Sequence, residues 1–156
     1  MSSDRLRVRW EGDDKLTQEL RAQGRAAPSI FARAAWAVMN NNVLNPSRHL
    51  VPVRDGILRS SATITPVGEV LSQASSGGVF QVIVGYGGPA APYALAVHEN
   101  PRAGRTGGIS PMGAPYKKHA KVGQWKYLEI PFFAAVPKMG HLIAERVRLA
   151  FKARAK

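Results

Sequence analysis

Apolar residues recur along this chain with two spacings, and the changes between them mark out its elements. Residues 5–10 (RLRVRW) alternate basic and apolar, so Leu6, Val8 and Trp10 share one face of a strand. Residues 12–14 end it, and Asp13 or Asp14 can cap a helix by accepting backbone N–H bonds. Leu16 and Leu20 sit four apart on that helix, and Gly24 is its stop. A longer helix follows. Pro28 suits its first turn, where a missing N–H costs nothing. Ile30, Phe31, Ala34, Ala35, Val38 and Met39 form one stripe, the pattern of core packing. Asn40, Asn41 and Asn42, then Asn45 with Pro46, weaken the helix and end it.

The period then shortens to two. Pro52 opens an extended segment, and Asp55 with Gly56 makes a turn. Beyond it Leu58, Ser60, Ala62 and Ile64 face one way, and Ile57, Arg59, Ser61, Thr63 and Thr65 the other. Pro66 and Gly68 interrupt. Residues 69–74 read as a weaker extended piece, 75–78 as a turn, and 79–84 (VFQVIV) as the strongest strand. Together these predict a small antiparallel sheet. Residues 85–92 form a Gly/Pro-rich connection, and 93–98 a short helical turn. Residues 100–124 have no period; they carry Arg102, Arg105, Lys117, Lys118 and Lys121 among many glycines and prolines, and no acid. A loop this long is functional or disordered. A final helix has Pro131 at its first turn and a stripe of Met139, Leu142, Ile143, Val147, Ala150 and Phe151. Pro137 would kink that helix or mark its true start.

The expected fold class is α+β. A small antiparallel sheet packs against N-terminal helices and a long C-terminal helix, with a long Gly/Pro-rich basic loop at about 100–124. Length fits a single domain over 1–156.

Composition sharpens this. Cysteine is absent, which excludes a disulfide scaffold and a thiolate zinc site. No apolar run approaches the about 20 residues of a membrane helix, and the N-terminus has no signal core, so a soluble protein kept in the producing cell is expected. Net charge is +12, and it is uneven. Asp4, Glu11, Asp13, Asp14 and Glu19 cluster early, and only Asp55, Glu69, Glu99, Glu129 and Glu145 follow. Such a surface suits nucleic acid or an acidic protein partner, or merely keeps the protein in solution.

Catalytic chemistry finds little support. His49, His98, His119 and His141 lack the spacing of a zinc-protease helix. His98 and Glu99 are adjacent, but neighbours in an extended chain point apart. The GYGG at 85–88 lacks the lysine and hydroxyl residue of a phosphate loop. Ser60 and Ser61 have no nucleophile elbow, and no carboxylate pair has acid–base context. No catalytic, cofactor or metal site is expected. Tyr116 with Lys117 and Lys118, and Trp125 with Lys126, could stack bases and hold phosphates; alternatively the aromatics pin the chain to the body, which is the reading preferred for Trp125 and Tyr127.

Three stretches stand out in their order: VPVRDGILRSS at 51–61, YALAVHE at 93–99 and KYLEIPFF at 126–133. They resemble the neck proteins of long-tailed phages, also described as head–tail connector, tail-completion or minor capsid proteins. Val51, Pro52, Val53, Asp55, Gly56, Leu58, Arg59 and Ser60 match the first motif. Tyr93, Ala94, Val97, His98 and Glu99 match the second; Lys126, Tyr127, Leu128, Glu129 and Pro131 match the third. Arg54 and Ile57 depart from the usual pattern.

The resemblance implies a non-enzymatic virion protein that forms a homo-oligomeric ring at the head–tail junction. Its neighbours would be other neck, portal-side and tail-terminator or tail-tube proteins. Genomic DNA would pass through the ring with at most transient contact, and no membrane is involved. A ring closed by rotation needs two different complementary faces on each subunit. Asp13, Asp14 and Glu19 of one subunit could meet Arg102, Arg105, Lys117, Lys118 and Lys121 of the next. The alternative is a small basic nucleic-acid-binding protein.

Overall fold

The helix expected from Pro28 onward is present in the computed structural model, which describes residues 6–9, 26–53, 56–89, 91–103 and 123–154. It forms α1 (Ala27–Met39), with Pro28 in its first turn and Ile30, Ala34, Ala35, Val38 and Met39 buried. The asparagines do not stop it. The chain continues through a wide π-turn (Asn40–Leu44) straight into α2 (Asn45–Leu50). Pro46 explains the wide turn: a proline in a regular helix clashes with the carbonyl four residues back. The Asn45 N–H instead reaches the Asn40 carbonyl, five residues back. The gain is burial of Val43 and Leu44, both at most 1% exposed, each stabilising by about 1.5–3 kcal/mol.

The second correction concerns residues 57–60. They alternate like a strand but form a helical turn, α3 (Ile57–Ser60). Gly56, at φ +84°, turns the chain into it. The Ser60 and Ser61 hydroxyls close it by donating to the Ile57 and Leu58 carbonyls. The strand is confined to β2 (Thr63–Ile64).

Residues 69–74 are likewise helical, within α4 (Val67–Gly77). Val70 and Ala74, four apart, are its buried pair. Gly78 caps it in the left-handed conformation, with its N–H on the Ala74 carbonyl. The expected hairpin is therefore a strand–helix–strand unit, closing on β3 (Gln81–Gly85). An N-terminal strand, β1 (Leu6–Arg9), completes an antiparallel sheet in the order β1-β3-β2. Leu6 pairs with Val84, Val8 with Val82, and Ile64 with Val84. Val82 and Val84 are buried, so this register sets one face of the sheet against the helices.

Two side-chain contacts fix α1 on that sheet. The Trp36 indole donates to the Thr65 carbonyl (2.8 Å), and Phe31 meets Phe80 edge to face. After α5 (Ala94–His98), the chain ends in α6 (Glu129–Arg154), which starts eight residues before Pro137 and runs through it. Ala135, Met139, Ile143 and Val147 form its buried row, and the helix packs on α1, the π-turn and α2. The α+β class with a long C-terminal helix holds. The helix expected near 13–24 and most of the 100–124 loop lie outside the described residues.

Candidate functional site

Tyr127 sits where the second and third motif stretches meet. Its ring is 1% exposed, and its hydroxyl donates to the Ala94 carbonyl at 3.0 Å. Tyr86 and His98 stand edge-on to it, at centroid distances of 5.0 and 4.9 Å. Tyr86 follows β3, and its hydroxyl shares a 2.7 Å hydrogen bond with Ser47, a fully buried serine on α2. Tyr127 thus joins α5, the end of β3 and, through Tyr86, α2.

The backbone binds the same segments. The Lys126 N–H donates to the His98 carbonyl (2.8 Å), and the Gln124 N–H to the Leu50 carbonyl (2.7 Å). The Gly87 N–H donates to the Ser61 hydroxyl at 3.1 Å. Gly123, at φ +106°, lies so close that a Cβ there would overlap the Pro52 backbone. Lys126 itself has φ +55°, a costly value for a residue with a side chain. It persists because both its N–H and its ammonium are held.

Around Lys126 lies a charged knot. Its Nζ is 2.8 Å from Glu99 Oε2 and 2.7 Å from Glu129 Oε2. Glu99 Oε1 is also 2.7 Å from His98 Nδ1. A carboxylate only accepts, so Nδ1 carries the imidazole proton here. Hydrogen bonds from Lys126 first, then His98, hold the Glu99 carboxyl below the usual glutamate range. Bonds to Glu129 and then Glu99 push Lys126 up. His98, Glu99 and Glu129 present ligand atoms within 4.8 Å of one another, a spacing that fits one metal ion. The Lys126 ammonium already bonds both carboxylates, so a metal would have to displace it. The arrangement is suited to locking α5 onto the start of α6.

The adjacent His98 and Glu99 do meet, because they close a short helix and are not extended. Of the other motif residues, Leu58, Leu128 and Pro131 are buried, Pro52 and Arg59 half-buried, and Ser60 and Tyr93 exposed. Tyr127 is pinned to the body as preferred. Trp125 stays 41% exposed, with the Lys126 Nζ 5.9 Å from its ring centre. Arg102 is exposed, its backbone N–H on the Asn100 side chain. Asp13, Asp14, Glu19, Asp55, Arg105, Lys117, Lys118 and Lys121 lie outside the described residues. Ser47, Tyr86 and Gly123 went unnoticed in the sequence. Their partners are remote along the chain, and Tyr86 and Gly123 sit in glycine-rich stretches that look like plain turns.

Several large apolar side chains close in sequence to the knot are exposed. Leu95, Trp125, Ile130, Phe133 and Val136 are each more than 40% exposed. Ile130, Phe133 and Val136 step along α6 at three-residue intervals. Among the described residues no helix is long and apolar enough to cross a membrane. Comparison with family models, characterised proteins and solved structures finds no match.

Proposed function

We propose that this chain is a non-enzymatic structural component of a phage or phage-like virion, a ring subunit at the head–tail junction. In that ring it joins the portal side to the tail and leaves a passage for DNA. The observation that carries this reading is that the second and third motif stretches meet at Tyr127 and Lys126, while the first meets the neighbouring Gly123 and Gly87 through Pro52 and Ser61. Ala94, His98, Glu99, Lys126, Tyr127 and Glu129, all in stretches that resemble neck proteins, tie α5 to the start of α6. They are scaffold residues, and what they support is the surface outside them. That surface has exposed Leu95, Trp125, Ile130, Phe133 and Val136, the kind of apolar area that subunit contacts cover.

Mass spectrometry of purified particles from the producing bacterium tests the proposal. The chain should be present in fixed, stoichiometric amount, and the isolated protein should form annular oligomers by electron microscopy. Its absence from the particles, or only trace amounts in them, refutes the reading.

A further inference from the structure

The exposed side of α6 changes character along its length. From Ile130 to Pro137 every exposed residue is apolar: Ile130, Phe133, Ala134, Val136 and Pro137. The large ones are well in the open, Phe133 at 61%. From Lys138 to Lys152 the exposed cations are Lys138, Arg146, Arg148 and Lys152, against one acid, Glu145. Among the described residues every ion pair falls in the Lys126 knot, so none of these four has a carboxylate partner there. Yet the helix already buries a full row against the body, Ala135, Met139, Ile143 and Val147. Its first part therefore carries a second apolar surface, followed directly by unpaired cations. Apolar area of this kind marks an interaction surface.

A lipid surface is a poor fit. A helix that lies on a membrane separates apolar and basic residues around its circumference, whereas α6 separates its exposed ones along its axis. The fitting partner is a protein segment that brings apolar side chains together with acids. The chain itself holds one. Of its ten acids, Glu99 and Glu129 are bonded by Lys126, and Glu145 stands on α6. Asp55 and Glu69 are isolated along the sequence. The other five lie in residues 4–19, where Glu11, Asp13, Asp14 and Glu19 stand among Trp10, Leu16 and Leu20. No other stretch of the sequence offers clustered acids beside large apolar side chains.

We propose that the exposed face of α6 seats the acidic segment 10–20 of a second copy of this chain. The apolar half takes the segment's large side chains, and the cations that follow attract its acids. Helix and segment are two different faces of one subunit, as a ring closed by rotation requires. The inference rests on the ring reading for its second copy, and the loop cations expected to meet the same acids add to the contact.

The test uses the full chain, mixed in heavy- and light-isotope forms and treated with a zero-length carbodiimide, which joins a lysine amine to a carboxylate in contact with it. Crosslinks from Lys138 or Lys152 to Glu11, Asp13, Asp14 or Glu19 are expected, in pairs that combine the two isotopes. This readout needs no variant to fold. In sedimentation velocity Phe133→Ser should weaken self-association by about tenfold or more, the loss of one large buried side chain. Arg148→Glu should weaken it too. Val79→Ser, at a valine that is also 61% exposed, should leave it unchanged. Three results overturn the proposal. One is the absence of those crosslinks between chains. Another is crosslinks confined to single-isotope pairs, which would lay the segment on its own helix. The last is a Phe133→Ser effect no larger than that of Val79→Ser. Absence of the chain from purified particles would refute the ring reading alone and leave a crosslinked contact standing.

Discussion

Glu99 is the residue whose chemistry depends most on its neighbours. Lys126 and His98 both donate to it, and Glu129 shares the lysine. Its folded pKa lies below its unfolded one, so the stabilisation is complete above the ordinary glutamate value of about 4.3. It is lost as pH falls through the folded value. Glu99→Gln should therefore be less stable than the native chain near neutrality, with the gap narrowing as acid protonates the native carboxylate. Urea midpoints measured between about pH 6 and pH 3 check this; a gap independent of pH would rule out the ionised Glu99 as its source. This residue also shows what a sequence conceals. His98 and Glu99 were visible as an adjacent pair, but whether neighbours meet depends on backbone conformation. Lys126 was visible as a motif lysine and as a cation beside Trp125. Its position between two carboxylates follows from a contact 27 residues away in the chain.

At the scale of elements, the long apolar stripes were legible and the short patterns misled. The stripes of α1 and α6 follow the helical period over many residues, and both helices formed. The alternation ran over residues 57–65, but Gly56 with two serine hydroxyls was enough to make 57–60 a helical turn instead. Residues 67–77 hold one buried pair four apart, a helical signal masked by their β-branched and small residues. The asparagines before Pro46 looked like a stop because propensity argued for one; burial of Val43 and Leu44 outweighed it. Connections carry their own constraint, and Gly123 shows it best. It has a positive φ and no room for a Cβ against Pro52 and Val51. Gly123→Ala should cost at least about 1–3 kcal/mol, from the strained backbone plus the clash. Gly88→Ala serves as a comparison, since Gly88 also has a positive φ but open space around it. Thermal melts should place Gly123→Ala clearly below Gly88→Ala; equal melting points would mean that the close approach to Pro52 contributes nothing.

For the whole molecule, scaffold and function part company at the basic stretch. The described body is closed on both sides of it. Ala103 ends a turn bonded to Asn100, and Asn100 is bonded to Val97. On the other side Gln124 is bonded to Leu50, and Lys126 to His98. These contacts join described residues to one another; residues 104–122, which hold Arg105, Lys117, Lys118 and Lys121, lie outside the described residues. Replacing that stretch with a Gly/Ser linker of about 12 residues, with a reach of about 40 Å, leaves those contacts possible. A shorter closed loop costs less entropy, so stability should change by less than about 1 kcal/mol and in the favourable direction. Under the ring proposal, assembly should respond very differently. The linker removes four of the five loop cations expected to meet the acidic segment of a neighbouring subunit, so annular oligomers should be lost while the monomer stays folded. Circular dichroism melts report the first quantity and sedimentation velocity the second. A variant that melts like the native protein and still assembles would move the subunit contact away from the loop, to the apolar surface of Leu95, Ile130, Phe133 and Val136. A variant that no longer folds would instead show that the basic stretch is part of the body.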